Sequence, residues 1–152
     1  MKPRVFVLDG YNVLRKSPSL SRSLVRAPET ARQSFVQLVA TLLPSGVQGL
    51  VVFDGHGEPG GAPHVRVAYS RHSSADAWIA RYLDDLDHAG HVTVVSSDAE
   101  VASHAHACGA AVLSAKDFLS GGARPKYVEG DEKPDRPLQD WEIRYWKNLF
   151  GE

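Results

Sequence analysis

The stretch RVFVLDGYN, residues 4–12, decides the fold. After Arg4 it is an unbroken apolar run, β-branched and aromatic, of the kind found in a strand buried on both faces. Asp9-Gly10 then stops it with a turn signal. The pattern returns at residues 49–53, GLVVF, which again run into an Asp-Gly pair, Asp54-Gly55. Shorter strand-like runs follow at Val65–Tyr69, Val92–Val95 and Ala111–Leu113.

Helical patterns fill the intervals. From Glu29 to Leu43, the apolar residues Ala31, Phe35, Leu38, Val39 and Leu42 recur at helical spacing, and Pro44 and Gly46 end the segment. Ser73 or Ser74 can cap a helix running to about His88, with Ile79, Tyr82, Leu83 and Leu86 on its apolar face. Ser97-Asp98-Ala99-Glu100 has capping-box spacing, which predicts a helix capped by Ser97 and stopped at Gly109. Ser114 caps a short helix through Leu119. Strands alternating with helices predict an α/β fold: a central, mostly parallel sheet with helices on both faces.

Two segments read as loops. Residues 15–28 mix Ser, Pro and Arg without periodicity, and residues 55–63, GHGEPGGAP, form a Gly/Pro rim beside Asp54, with His56 and His64 near the crevice. The expected organisation is one domain over residues 1–119, then an exposed linker over 120–137. Pro137 opens a C-terminal amphipathic helix over 138–152. That helix carries Leu138, Trp141, Tyr145 and Leu149 in one stripe. It either packs back on the domain or docks a protein or ribonucleoprotein partner.

The bulk numbers bound the function. A chain of 152 residues is close to one ordinary domain and long enough to bury a core. The lone cysteine, Cys108, rules out an internal disulfide and fits a reducing cytoplasm. No apolar stretch approaches the roughly 20 residues that span a bilayer, and no cleavable signal is visible, so no membrane role is expected. Net charge is −1, but residues 1–32 hold Lys2, Arg4, Arg15, Lys16, Arg22, Arg26 and Arg32 against Asp9 and Glu29. Such asymmetry marks a candidate nucleic-acid surface.

The acidic residues carry the chemistry. Asp9, Asp54 and Asp98 each follow a strand, and Asp76 lies in the first turn of a helix. In a parallel sheet the carboxyl ends of the strands share one edge, where ligands bind. Converging carboxylates repel one another unless a cation sits between them. A hard divalent ion such as Mg²⁺ is the usual solution, and it can activate water and stabilise charge on a phosphodiester. Each aspartate also has an ordinary explanation, in Asp-Gly turns and helix first turns. The seven histidines do not form a zinc motif: His104 and Cys108 share a helix face, but two ligands are not a site. Cys108 reads instead as a buried helix residue.

The run Val7-Leu8-Asp9-Gly10-Tyr11-Asn12 resembles the opening motif of NYN-domain proteins, specifically the bacterial YacP-like branch of the PIN-like superfamily. Three further blocks match in order: Val51 to Gly55, Ser74 to Ile79, and Val94 to Glu100. A trailing Gly109-Ala110 and Ser114 to Phe118 extend the likeness, which covers about residues 4–119. The resemblance implies a PIN-like fold, a divalent metal (Mg²⁺ or Mn²⁺) and RNA as substrate. By position, Asp9, Asp76 and Asp98 become the catalytic, metal-holding core. Asp54 becomes a further acid, and Asn12 and Ser97 become supporting residues. Relatives often carry a second acid directly after the aspartate of the third block, where Ala77 stands here. Arg15, Lys16, Arg22 and Arg26, close behind Asp9, are the expected RNA-backbone contacts. The expected function is a metal-dependent endoribonuclease. The competing readings are a catalytically silent RNA-binding module on the same fold and a small-molecule phosphohydrolase. The latter lacks its strand-end Asp-x-Asp, since Tyr11 stands two after Asp9.

Overall fold

The computed structural model describes residues 4–58 and 60–121. Its centre is β1 (Val5–Asp9), which pairs in parallel with β2 (Gln48–Phe53) on one side and with β5 (Val92–Val95) on the other. Beyond β2 lies β4 (Val65–Tyr69), also parallel, and beyond β5 lies β6 (Ala111–Leu113). A two-residue strand, β3 (Gly61–Ala62), closes the β4 edge in antiparallel pairing, so part of the Gly/Pro rim is strand rather than loop. The spatial order is β3-β4-β2-β1-β5-β6.

Period-two alternation divides the core into two layers. Phe6, Leu8, Val51 and Phe53 point to one face and meet Phe35 and Val39 of α3 (Pro28–Leu42) and Phe118 of α6 (Ala115–Gly121). Val7, Leu50, Val52 and Val94 point to the other and meet Ile79 and Leu83 of α4 (Ala75–Asp84) and Val101 and Ala105 of α5 (Ala99–Ala107). This is the expected three-layer α/β architecture. Phe6, Phe35, Phe53 and Phe118 are fully buried. Each such burial contributes roughly 1.5–3 kcal/mol.

The structure corrects several sequence expectations. Residues 15–28 are not a loop: α1 (Gly10–Leu14) is followed by α2 (Pro18–Arg26). Ser17 caps α2 by accepting the Leu20 N–H, and Pro18 takes the first helical position, where its missing N–H costs nothing. Leu20 and Leu24, four apart, pack on the core, while the arginines face solvent. The helix after Ser74 ends at Asp84 rather than near His88. Acids at 84, 85 and 87 oppose the helix dipole there. Asp98, not Ser97, caps α5; its Oδ1 accepts the N–H groups of Glu100 and Val101. Cys108 is half-buried at the C-cap of α5 rather than buried within it. Gly109 does stop that helix, at φ +89°. Helix α6 runs on to Gly121, two residues into the expected linker. The rest of that linker and the 138–152 helix lie outside the described residues. No helix of the described residues is long and apolar enough to cross a membrane.

Candidate active site

Strand β1 lies where the sheet reverses its winding. The chain builds outward from it through β2 to β4, then returns to add β5 and β6 on the opposite side. Such a switch point opens a crevice at the carboxyl ends of the strands. Asp9, the last residue of β1, stands in it and is 5% exposed. Asp54 follows β2, and its Oδ1 accepts the Ala75 N–H at 2.7 Å, fastening the end of the strand to the start of α4. Asp76 lies exposed in the first turn of α4, and Asp98 caps α5. The four aspartates therefore come from four separate elements to one sheet edge.

Short polar links hold this edge together. The buried Ser96 hydroxyl donates to Asp9 Oδ2 at 3.2 Å and accepts the Asp98 N–H at 3.0 Å. Asn12 Oδ1 accepts the Ser97 N–H at 2.8 Å, joining α1 to the loop after β5. The Ser97 hydroxyl accepts the Ala115 N–H at 3.1 Å, so it anchors α6 rather than capping α5. No local pattern in the sequence marks Ser96 for this role, beyond its being a polar residue placed directly after four buried β5 positions.

The electrostatics register the convergence. Asp9 is pushed up to about 6, first by burial and then by Asp76, with smaller contributions from Asp54 and Asp98; the Ser96 hydrogen bond opposes the rise. Burial and then the charges of Asp98, Asp54 and Glu100 also raise Asp76. Glu100, the acid of the expected capping box, thus lies close enough to Asp76 for its charge to be felt there. Among the described residues, no three of these carboxylates lie within 4.8 Å of one another. That spacing suits a cation that retains waters better than one caged by protein alone.

A cleft of about 290 Å³ runs between α4 and α5 from Ser74, Asp76 and Glu100 to His104. A larger one of about 560 Å³ lies between α3 and the β4 edge, lined by Arg32, Gln33, Val36 and Tyr69. The smaller cleft is lined by Asp76 and Glu100. Arg15, Lys16, Arg22 and Arg26 are all exposed. Arg15 follows α1, with its guanidinium 5.3 Å from the Tyr11 ring centre, and Arg22 and Arg26 ride on α2. Tyr11 itself is a packing residue, tilted against Phe53 at 4.9 Å, and its hydroxyl accepts from Arg32 at 3.1 Å. His56 packs edge-on against His72. His64 was expected near the crevice, but it precedes β4 and so lies at the opposite sheet edge, its carbonyl accepting the Gly49 N–H.

An open, mostly parallel sheet with acidic residues gathered at its switch point defines an α/β domain of the PIN-like class. The family model described as the YacP-like NYN domain matches residues 6–129, and the chain belongs to that family. The crystal structure of a tryptophan-to-leucine mutant of Rae1 (YacP) from Bacillus subtilis is 25% identical, with a TM-score of 0.64 over 76% of this chain and 72% of that one. A second Rae1 (YacP) crystal structure from the same organism is 23% identical and shares the fold, with a TM-score of 0.60 over 99% of this chain and 81% of that one. No curated protein sequence matches the chain closely enough to count as a relative.

Proposed function

We propose that the chain is a divalent-metal-dependent endoribonuclease that hydrolyses RNA phosphodiester bonds in the cytoplasm. One observation carries the reading: Asp9, Asp54, Asp76 and Asp98 come from four elements to the switch point, where burial first, and then the charges of Asp76, Asp54 and Asp98, push the Asp9 carboxyl up to about 6. Membership of the YacP-like NYN family supports it. A fold gains nothing from such repulsion, whereas a cation site requires it.

The donors are all carboxylate oxygens, which fit a hard ion such as Mg²⁺ or Mn²⁺. Asp9, Asp76 and Asp98 would hold it, with Asp54 as a further acid. Once bound, the ion supplies Lewis-acid stabilisation of phosphodiester charge and a reactive water at neutral pH. The remaining work belongs to the chain. Ser96 fixes the rotamer of Asp9 and, through the Asp98 N–H, the start of α5. Asn12 and Ser97 lock the loop between them against α1 and α6. Arg15, Lys16, Arg22 and Arg26 draw in the RNA backbone. A catalytically silent RNA binder is disfavoured, because carboxylates lining its groove would repel phosphates.

The test is incubation of the purified protein with mixed RNA, with and without Mn²⁺, beside an Asp9→Asn variant. Cleavage that needs both the metal and Asp9 supports the reading. Intact RNA in every lane, or cleavage that persists in Asp9→Asn, overturns it.

A further inference from the structure

The far end of the cleft between α4 and α5 holds a second constellation. Asp84 is the last residue of α4, while His104 and Cys108 lie four apart at the end of α5 and share a face. Asp84 Oδ1 is 3.0 Å from His104 Nε2 and 3.6 Å from Cys108 Sγ. The three donor atoms all lie within 4.8 Å of one another. The sequence offered two ligands on one helix; the packing of α4 against α5 adds the third.

We propose that Asp84, His104 and Cys108 form a binding site for Zn²⁺ or a cation of similar softness, separate from the carboxylate cluster. Zinc takes thiolate, imidazole and carboxylate at roughly 2.0–2.3 Å in a tetrahedron, so its donors stand roughly 3.3–3.6 Å apart. The observed 3.0 and 3.6 Å separations bracket that range and need small side-chain movements to meet it. The mixed N, O and S set is the kind that selects zinc over Mg²⁺. With Asp84 and His104 both partly exposed, solvent can supply the fourth position.

Local charge favours a cation. Asp84 sits at a helix C-terminus, where the dipole disfavours a carboxylate, and Asp85 and Asp87 follow it. Binding forms a metal–sulfur bond to Cys108 and releases the thiol proton to solvent. The site is distinct from Asp76, which is eight residues earlier and so roughly 12 Å away along α4. Zinc here ties together the ends of two helices whose opposite ends carry Asp76 and Asp98.

Co²⁺ provides the test, because Cys108 is the single cysteine of the chain and any thiolate-to-cobalt absorption reports on it. The full chain is titrated with Co²⁺ in excess Mg²⁺, with circular dichroism confirming that each variant is folded. The expected result is a near-ultraviolet charge-transfer band that saturates at one Co²⁺ per chain and is lost on adding Zn²⁺. Cys108→Ser should abolish the band, Asp84→Asn and His104→Ala should each weaken apparent affinity about tenfold or more, and Asp9→Asn should leave the band unchanged. Absence of the band at saturating Co²⁺ overturns the proposal. So does wild-type affinity in both Asp84→Asn and His104→Ala. The readout does not depend on RNA cleavage, so it stands or falls apart from the nuclease reading.

Discussion

Ser96 and Asp9, 87 positions apart in sequence, are joined by a hydrogen bond of 3.2 Å from the serine hydroxyl to Oδ2 of the aspartate. The same hydroxyl accepts the Asp98 N–H. One buried side chain thus couples the carboxylate at the end of β1 to the residue that caps α5.

Ser96→Ala should move the acid limb of the pH–rate profile upward. The hydrogen bond stabilises ionised Asp9 and opposes the rise to about 6. A hydrogen bond to a charged group is worth about 1.5–3 kcal/mol, so its loss should shift the limb by roughly one to two pH units. Activity should fall more at pH 6 than at pH 8. A profile lowered equally at every pH would contradict this role for Ser96.

Metal-free protein should be stabilised by Asp9→Asn at pH 8 but not at pH 4. Folded Asp9 keeps its proton up to about pH 6, whereas an aspartate in the unfolded chain loses it near 3.8. Between those values the folded state binds more protons than the unfolded, so stability falls as pH rises. A shift of about two units corresponds to about 3 kcal/mol, an upper bound on the gain. Urea titrations in chelator at both pH values check it. Equal effects of the substitution at the two pH values would refute it.

Gly10→Ala should destabilise the fold by about 2 kcal/mol, a typical cost of forcing extra volume into a packed core. A Cβ at Gly10 would meet the Val52 carbonyl oxygen at 2.8 Å and Phe53 Cδ1 at 2.5 Å. The glycine after Asp9 therefore lets α1 sit tightly on β2. Thermal unfolding of this variant measures the cost, and an unchanged Tm would show that the turn can shift.

Much of this architecture was legible because parallel strands buried on both faces leave continuous apolar runs, and each run here ends at an acid or a serine. Asp9, Asp54, Asp76 and Asp98 could be placed on one edge for that reason. Helix α2 was less visible, because just Leu20 and Leu24 face the core, Val25 points to solvent and the rest is Ser, Arg and Pro. The cap of α5 was misplaced by one residue, since Ser97 and Asp98 can both cap and only the packing of α6 assigns Ser97 elsewhere. Ser96 as a link, and Asp84 beside His104 and Cys108, depend on contacts between distant segments, which no local pattern encodes.

Replacing Arg15, Lys16, Arg22 and Arg26 with Gln should weaken RNA binding without changing sequence preference, because phosphate contacts position a strand but do not read bases. If all four meet phosphates, the salt slope for single-stranded RNA should flatten by up to about 3. Fluorescence anisotropy at several salt concentrations, on an Asp9→Asn background, tests this. Unchanged affinity and slope would show that RNA enters by another path.

The central claim, that the carboxylates at the switch point do chemistry, is tested most directly by RNA cleavage in Asp76→Asn with Mn²⁺ present. Asp76 is exposed in the first turn of α4, and the repulsion it shares with Asp98 and Asp54 makes it dispensable for packing. The variant should keep the wild-type circular dichroism spectrum and Tm, or gain slightly in stability, while cleavage falls below detection. A folded Asp76→Asn protein cutting RNA at the wild-type rate would contradict the account.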